Sequence, residues 1–219
     1  MLIPLRIKAI GDLLESSDKI ADIGADHGLL EIYLAEKYEF IHITAIENKK
    51  GPFAILKENL QGLEGIKLSL SDGLDEVSNE DTLVLAGMGG INIINIISRN
   101  ENKLINIKKI VIDAHRDISL ARKYIVNLSY KIASEEIVYE KGKYYVVSKF
   151  IKSSHIPSYS DDELDFGFVS EDKLWPKFRD YLIEKNNKTI EKIRDNKNFM
   201  YKVSELTRLK ERLLKYGKN

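Results

Sequence analysis

The first two-thirds of the chain alternates between short apolar runs and segments whose apolar residues recur at helical spacing. Short apolar runs that end at glycine or at a polar turn predict strands, and a spacing of three or four residues predicts helices. The predicted strands are Lys19–Ile23, Ile41–Ile46, Ile66–Leu70, Thr82–Ala86 and Lys109–Asp113. The predicted helices are Leu5–Leu14, Leu29–Tyr38, Pro52–Leu60, a helix after Gly90, and Ile118–Leu128.

Two longer strand-like segments flank Lys141-Gly142-Lys143, and a tight glycine turn between such segments predicts a hairpin. Repeated strand–helix units require a mostly parallel sheet with helices on both faces, to which the hairpin adds an antiparallel edge. The predicted fold class is therefore α/β, a seven-stranded, doubly wound sheet of Rossmann type. Ligands on this plan bind at the carboxyl ends of the strands.

After Ile151 the pattern changes, and we predict two domains, residues 1–153 and 154–219. An acidic patch at Asp161–Asp165 precedes a chain that is strongly helical from about Asp172. Asp195–Asn198 interrupts the helical pattern, so we expect either an antiparallel helical hairpin or a single long helix. The apolar residues near heptad spacing that would form its seam are Ile183, Ile190, Met200, Val203, Leu206, Leu209 and Leu213.

Composition narrows the functional classes. The 219-residue chain has no cysteine, which excludes disulfides, thiolate zinc sites and cysteine nucleophiles. No apolar run approaches the roughly 18 residues that span a bilayer, and the N-terminus lacks the pattern of a signal peptide. We therefore expect a cytoplasmic protein, with a monomer favoured.

The net charge of zero hides an asymmetry. Residues 177–219 carry a net charge of +7, and the rest of the chain carries −7. Such a basic segment either meets a polyanion or is a solvated lysine-rich helix. The side chains that we expect to bind nucleic-acid phosphates are Lys185, Lys188, Lys192, Arg194, Arg208 and Arg212.

A glycine loop, Asp22-Ile23-Gly24-Ala25-Asp26-His27-Gly28, follows the first predicted strand and precedes a helix. This is the position of the nucleotide loop in Rossmann domains. Asp22 and Asp26, however, stand where a diphosphate needs N–H donors, and like charges about 4 Å apart cost roughly 4 kcal/mol at an effective dielectric of 20. The loop favours a cationic ligand such as S-adenosylmethionine. The alternative is an ordinary turn in which Asp26 caps the helix.

Acidic residues also end the next two strands. Glu47 lies 23 residues after Gly24, where a carboxylate accepts both hydroxyl protons of a ribose. Asp72, beside Gly73, is placed to accept the amino protons of adenine while Leu74 covers the ring, although a plain turn aspartate is the alternative.

Two further features border the predicted site. Gly87-Met88-Gly89-Gly90 ends the fourth strand, and we expect its backbone to lie beside the reactive end of the cofactor. His27 has no second ligand at metal spacing, so we expect it to donate to the methionine carboxylate, and we expect no metal.

Five motifs follow one another along the chain: A-D-I-G-A-D-H at 21–27, E-N-K-K-G-P-F at 47–53, S-D-G-L at 71–74, L-A-G-M-G-G at 85–90 and E-K-G-K-Y-Y at 140–145. Together they resemble the bacterial tRNA (adenine-22-N1)-methyltransferase family. The resemblance implies a class I methyltransferase domain, a coiled-coil-like C-terminal domain and methyl transfer from S-adenosylmethionine to N1 of adenine 22 in tRNA. The implied cofactor contacts are Asp22, Gly24, Asp26, His27, Glu47, Gly51, Pro52, Asp72, Gly73, Gly87, Met88, Gly89 and Gly90.

The chain departs from the family after the fifth strand. Asp113-Ala114-His115 stands where the family usually has a Gln-Pro-Asn-like tripeptide, so the pocket for the target base is less firmly predicted than the cofactor. Adenine N1 carries a lone pair at neutral pH, so positioning dominates and no strong base is needed. The expected catalytic residues are Asp26 and Asp113, which would stabilise the cationic product, and Met88, which would clamp the base.

Other functions remain open at this stage. One is a methyltransferase that acts on another RNA base or on a small molecule. Another is a non-catalytic nucleotide sensor whose heptads bind a partner helix. An NAD-dependent oxidoreductase is disfavoured because of the two aspartates in the glycine loop.

Overall fold

The structure, a computed structural model, describes residues 2–217. Met1, Lys218 and Asn219, at the ends of the two predicted domains, lie outside the described residues. The described residues form two compact units, one ending at Ser158 and the other beginning at Tyr159. The predicted domain boundary after Ser153 falls within the first unit.

The first unit contains strands and helices in the predicted order. Its strands are β1 (Lys19–Ile23), β2 (His42–Glu47), β3 (Ile66–Leu70), β4 (Thr82–Met88), β5 (Lys109–Ala114), β6 (Tyr130–Glu140) and β7 (Lys143–Lys152). Its helices are α1 (Leu5–Asp12), α2 (Leu29–Lys37), α3 (Lys50–Asn59), α4 (Gly90–Arg99) and α5 (Ile118–Asn127). A short 3₁₀ helix spans Glu101–Ile105.

The strands of the described chain form a seven-stranded sheet in the order β3-β2-β1-β4-β5-β7-β6. The first five are mutually parallel, whereas β7 pairs antiparallel with both β5 and β6. The chain winds outward from β1 in one direction through β2 and β3, and in the other from β4. The switch point therefore lies between β1 and β4, where ligands bind on doubly wound sheets. The predicted fold class is confirmed.

Alternate residues of the central strands face two different helical layers. Ala21 and Ile23 of β1 join the core beneath α4 and α5, whereas Ile20 joins the core beneath α1 and α2. This period of two is the geometry of a strand buried on both faces. By the same alternation, Asp22 points toward the α1–α2 layer.

The edge hairpin closes with a two-residue turn. Lys141 and Gly142 both have positive φ, +48° and +79°, as a type I′ turn requires. This turn matches the right-handed twist of the flanking strands, so the glycine prediction for the hairpin holds.

The second unit is helical. It contains α6 (Asp161–Phe166), α7 (Trp175–Ile193), a 3₁₀ turn at Lys197–Phe199 and α8 (Met200–Leu213). The helical pattern breaks between α7 and α8, and the two helices pack against each other, so two helices are present where a single long one was the alternative.

The acidic segment at Asp161–Asp165 lies within helix α6. Ser160 accepts a hydrogen bond from the backbone N–H of Glu163, and the Glu163 side chain accepts one from the backbone N–H of Ser160. This capping box, with acidic residues in the first turn, favours a helix start. The S-x-x-E signal is present in the sequence, but the helix that it begins was not predicted.

Helix α3 begins earlier than predicted. It starts at Lys50, so Pro52 is its third residue and not its first. Proline is still accommodated because the first four N–H groups of a helix have no partner within the helix.

A buried ion pair ties α5 to the sheet, and it generates a stability prediction. Both Nε and Nη2 of Arg122 donate to Glu135 Oε1, at 3.0 and 2.9 Å, and both side chains are almost fully buried. Glu135→Gln removes the charge of the carboxylate that binds the buried Arg122 guanidinium, so we expect a loss of about 3–5 kcal/mol in the free energy of unfolding, measured by denaturant titration.

The control is the same substitution in an exposed pair. Glu184→Gln removes the partner of Lys188 on the surface of α7. We expect the unfolding midpoint to stay unchanged, since such pairs contribute little. Equal effects of the two substitutions would contradict a structural role for the buried pair.

Candidate active site

Two adjoining cavities lie at the carboxyl ends of β1, β2 and β4. Their volumes are about 690 and 270 Å³, and Gly24, Glu47 and Lys49 line both. Of the predicted residues, the larger cavity also has Asp72, Gly73 and Met88 in its wall, and the smaller one has Asp22, Asp26, His27, Pro52 and Gly87. The structure thus brings most of the predicted cofactor residues to one cleft at the switch point.

The glycine loop is held against β2 by its backbone. The N–H groups of Gly24 and Ala25 both donate to the carbonyl of Ile46, at 2.8 and 3.0 Å. Gly24 has φ of +79°, and a Cβ there would project to 3.5 Å from Met88 Cε. The glycine therefore leaves the cleft open at its centre.

The alternative role for Asp26, capping α2, does not occur. The residue before α2 is Gly28, and no side chain caps the helix. A Cβ at Gly28 would lie 2.8 Å from Leu60 Cδ2, so this glycine serves packing between α2 and α3. Asp26 itself is exposed, with positive φ, and its carboxylate lies 3.7 Å from His27 Nε2.

The two aspartates of the loop differ in environment. Asp22 is buried, 5% exposed, and burial raises its pKa to about 7. Asp26 has a side chain that is 63% exposed. The two carboxyl groups, which the sequence presents as an equivalent charged pair, therefore lie in different environments, Asp22 in the protein interior and Asp26 in solvent.

Glu47 ends β2 at the wall that the two cavities share. It is 7% exposed, and its Oε1 accepts a hydrogen bond of 2.9 Å from the backbone N–H of Lys49. That bond fixes the orientation of the carboxylate, since the acceptor and donor are only two residues apart. A carboxylate held in this way is suited to accept the hydroxyl protons of a diol.

Asp72 is held by two neighbours at the far end of the larger cavity. Arg99 Nη1 donates to it at 2.7 Å and Asn48 Nδ2 at 3.1 Å, and the bond from Arg99, then that from Asn48, lowers its pKa. Leu74, which we expected to cover an adenine ring, is fully buried in the core. Ile96 and Met88 line the cavity in its place.

Sequence reasoning missed Asn92, Asn95 and Arg99 of this cavity. All three lie on α4, one turn or more apart, and line the cleft together. The only signal in the sequence is polar residues among the isoleucines of α4, and a solvated helix face produces the same pattern.

The glycines after β4 have two different roles. Gly87, with φ of +74°, lines the smaller cavity. Gly89 and Gly90 line neither cavity, because the loop after β5 packs on them. Gly90 N donates to Arg116 O at 2.8 Å, and a Cβ on Gly90 would lie 2.3 Å from Asp117 O. Of these three glycines, which we expected to border the site, only Gly87 lines a cavity.

Gly51 also lies outside both cavities. It is exposed near the start of α3, and a Cβ built on it meets nothing within 4 Å. Nothing near Gly51 requires a glycine there, and the cofactor contact that the family resemblance implied for it has no counterpart in the lining of either cavity. Its neighbour Pro52 does line the smaller cavity.

Asp113 is fully buried and lines neither cavity, so it does not stand where a direct catalytic contact was expected. Its Oδ2 lies 3.0 Å from Arg6 Nη1 and 3.3 Å from His115 Nε2. Arg6 and His115, in turn, line the smaller cavity, and both contact the ring of Tyr145. Asp113 therefore positions two cleft residues rather than entering the cleft.

Arg6 was not found by sequence reasoning. It lies on α1, 107 residues from Asp113, and no local pattern links the two. Asp113 and His115, two other members of this cluster, belong to the Asp113-Ala114-His115 tripeptide, whose departure from the family pattern was visible in the sequence.

The basic side chains of the helical unit are not equivalent. Lys185, Lys188 and Lys192 follow one face of α7 along a shallow groove of about 270 Å³. Arg194 and Arg208 are exposed. Arg212 is bound to Asp162 at 2.6 Å and to Asp165 at 2.8 Å, so it holds α8 to α6 and is not free to bind phosphate, contrary to expectation.

Residues 2–217 contain neither a cluster of metal ligands nor a membrane-spanning helix. No group of three or more His, Asp or Glu side chains there could hold a metal ion. None of the helices in that range has the length and hydropathy to span a membrane.

The doubly wound sheet, with its acidic cleft at the switch point, is the architecture of a Rossmann-type ligand-binding domain. A model of the methyltransferase domain matches residues 3–148, and the chain belongs to that family.

Individual relatives narrow the group. The tRNA (adenine(22)-N(1))-methyltransferase of Bacillus subtilis is 27% identical over 147 residues, which are 65% of this chain and 62% of the relative. The chain thus matches less than two thirds of the length of that curated relative. The similarity to a tRNA (adenine(22)-N(1))-methyltransferase that the motifs indicate is thus confirmed, and the family established for this chain is that of the methyltransferase domain.

Solved structures extend the likeness in fold to nearly the whole chain. An uncharacterised protein from Listeria monocytogenes has a TM-score of 0.89 at 22% identity, with 98% of this chain and 99% of that chain covered. TrmK of M. capricolum, solved with S-adenosylhomocysteine, has a TM-score of 0.84 at 25% identity, with 99% and 98% covered.

The glycine after β4 generates a prediction. Gly90→Ala forces a methyl group against the backbone oxygen of Asp117, so we expect a destabilisation of about 1–3 kcal/mol in thermal unfolding. Gly51→Ala is the matched control in helix α3, where the methyl group meets open space and helix propensity favours alanine by up to about 1 kcal/mol. A Gly90→Ala protein as stable as the control would refute the packing role.

Proposed function

We propose that the chain is an S-adenosylmethionine-dependent methyltransferase that methylates N1 of adenine 22 in tRNA. The proposal rests on the buried carboxylate of Glu47, which lines both cavities together with Gly24. This carboxylate supplies acceptors where a ribose diol needs them, and the larger cavity is of the size that small cofactors occupy.

The cleft fits the chemistry of this cofactor. Among the lining residues, Asp22 is the partner for a cationic group and Glu47 accepts from the diol. Met88 and Ile96 form apolar walls for a planar ring. Asp72 is the acceptor for an amino group, although Arg99 shares it. When bound, S-adenosylmethionine supplies an electrophilic methyl group. TrmK of M. capricolum, which has been solved with S-adenosylhomocysteine, supports this assignment.

The cluster held by Asp113, which forms part of the wall of the smaller cavity, orients the acceptor base, and the part of that cavity beside Asp22 takes the amino-acid portion of the cofactor. His115 and Arg6 are fixed by Asp113, and the ring of Tyr145 lies against both, which forms a wall of defined geometry. Because N1 of adenine has its own lone pair, these residues need to position the ring and not to remove a proton. Asp26, an exposed carboxylate of the same cavity, stabilises the positive charge that develops on the base.

The helical unit binds the tRNA backbone in this proposal. Lys185, Lys188 and Lys192 present positive charge along one face of α7, at the spacing of a helical stripe. The named activity of the Bacillus subtilis relative supports tRNA as the partner. A tRNA substrate would also place the protein in the cytoplasm.

Methyl transfer tests the activity directly. Purified protein, S-adenosylmethionine and unmodified tRNA should yield 1-methyladenosine by nucleoside mass spectrometry, at position 22 by primer extension. Glu47→Gln replaces one strong acceptor oxygen by an amide, so we expect kcat/KM for the cofactor to fall at least about tenfold. Glu58→Gln, an exposed glutamate of α3, is the control and should retain full activity.

Methylation of a different base would leave the cofactor assignment in place and refute the substrate. Undiminished activity of Glu47→Gln would refute the role of the diol acceptor.

A second prediction concerns tRNA binding. Alanine at Lys185, Lys188 and Lys192 should weaken binding and reduce the slope of log affinity against log salt by about 2, because each lost phosphate contact removes roughly 0.7–0.9. Affinity for S-adenosylmethionine should stay the same. Alanine at the exposed Lys57, Lys67 and Lys131 makes the same change in net charge and serves as the control. Equal losses in the two triple variants would mean that net charge, and not the α7 stripe, governs binding.

A further inference from the structure

A pair of buried carboxyl groups lies behind the glycine loop. Asp22, on β1, lines the smaller cavity at 5% exposure, and Glu31, on α2, is fully buried. Asp22 points from β1 toward the α1–α2 layer, where Glu31 is buried on α2, and each carboxyl group affects the ionisation of the other. Glu31 lines neither cavity and has no part in the site as described so far.

If both carboxyl groups of this pair were ionised, the buried oxygens of Glu31 would have no hydrogen-bond donor. Neither carboxyl oxygen of Glu31 has a donor among residues 2–217. Two carboxylates can only accept, so a contact between them is a hydrogen bond only when one carries a proton. Burying both as anions without a cation would cost several kcal/mol. One proton resolves both problems.

The environment assigns that proton to Glu31. Burial, reinforced by the negative charge of Asp22, raises the pKa of Glu31 well above its ordinary value. Burial also raises the pKa of Asp22, to about 7, and the hydrogen bond from Glu31 opposes that rise. Asp22 therefore ionises before Glu31, so that Glu31 is the member of the pair that keeps its proton and Asp22 is the acceptor.

The pair also lacks a cation of its own. No lysine or arginine in the described chain forms an ion pair with Asp22 or Glu31, although charged and titratable groups of neighbouring elements share the smaller cavity with Asp22. Those groups are Arg6 from α1, Asp26 and His27 from the glycine loop, Glu47 and Lys49 from the end of β2, and His115 from the end of β5. Arg6 is already bound to Asp113. The cavity thus leaves the cation opposite Asp22 to be supplied by a ligand.

We propose that Glu31 is a positioning residue of the cofactor site, which remains protonated and donates a hydrogen bond to Asp22, so that this carboxylate faces the ammonium group of S-adenosylmethionine. The inference rests on the proposed function, since it assumes the cofactor. It adds a residue outside the cleft that sets the charge within it.

A dependence of affinity on pH follows. Below the pKa of Asp22 the carboxyl group must lose its proton before it can bind an ammonium ion, so affinity falls by up to about tenfold per pH unit. Above that pKa the group is already ionised, and its contribution is constant. Cofactor binding at low pH should therefore release a proton.

Calorimetric titration with S-adenosylmethionine from about pH 5.5 to 8 tests the inference on the whole protein. Glu31→Gln keeps a donor to Asp22, so we expect it to share the pH midpoint of the natural protein. Glu31→Leu removes the donor, so we expect the midpoint to rise by about one unit and the affinity at pH 7 to fall by up to about tenfold. The histidines and acids of the cleft are common to all three proteins.

A second measurement does not depend on the leucine variant folding. Titration of the natural protein in buffers of different ionisation enthalpy counts the protons released on binding. We expect about one at pH 6 and close to none at pH 8 from Asp22.

The outcomes separate the inference from the proposed function. Absence of binding at every pH overturns both. Binding with the same midpoint in Glu31→Leu as in the natural protein, or without proton release at pH 6, overturns the role of Glu31 and leaves the cofactor assignment standing.

Discussion

Everything at the cleft depends on the parallel register of β1 with β2 and β4, which ends three strands at one edge of the sheet. The pairing of β1 with β2 continues into the glycine loop, because the N–H groups of Gly24 and Ala25 both donate to the carbonyl of Ile46 on β2. This anchor holds the loop between β1 and α2 against β2, next to Glu47 in the wall that both cavities share.

The same geometry sorts the acidic residues of the cleft by environment. Asp22 is buried beneath the loop, Asp26 stands in solvent on top of it, and Asp72 is held by Arg99. Three aspartates that look alike in the sequence thus lie in three different environments. A cleft of this kind selects ligands by the position of their charge as well as by its sign.

The order of elements and the position of the cleft could be read from the sequence because both follow from local patterns. Strands β1 and β3 have the predicted bounds, and the glycine turn of the hairpin required positive φ at Gly142. What could not be read depends on distant partners. The bond from Arg6 to Asp113, the clash that reserves Gly90 for the loop after β5, and the pairing of Arg212 with α6 all join segments without a common motif. The identity of the residues marked the site, but their protonation and pairing needed the fold.

The central claim is that this cleft holds an adenosyl cofactor with its ribose on Glu47. A crystal structure of the protein grown with S-adenosylhomocysteine tests it most directly. We expect ribose oxygens within about 3.2 Å of the Glu47 carboxylate, with the amino-acid portion of the ligand entering the smaller cavity beside Asp22. A ribose bound away from Glu47, or a nicotinamide dinucleotide that occupies the cleft while the adenosyl compound does not bind, would contradict it.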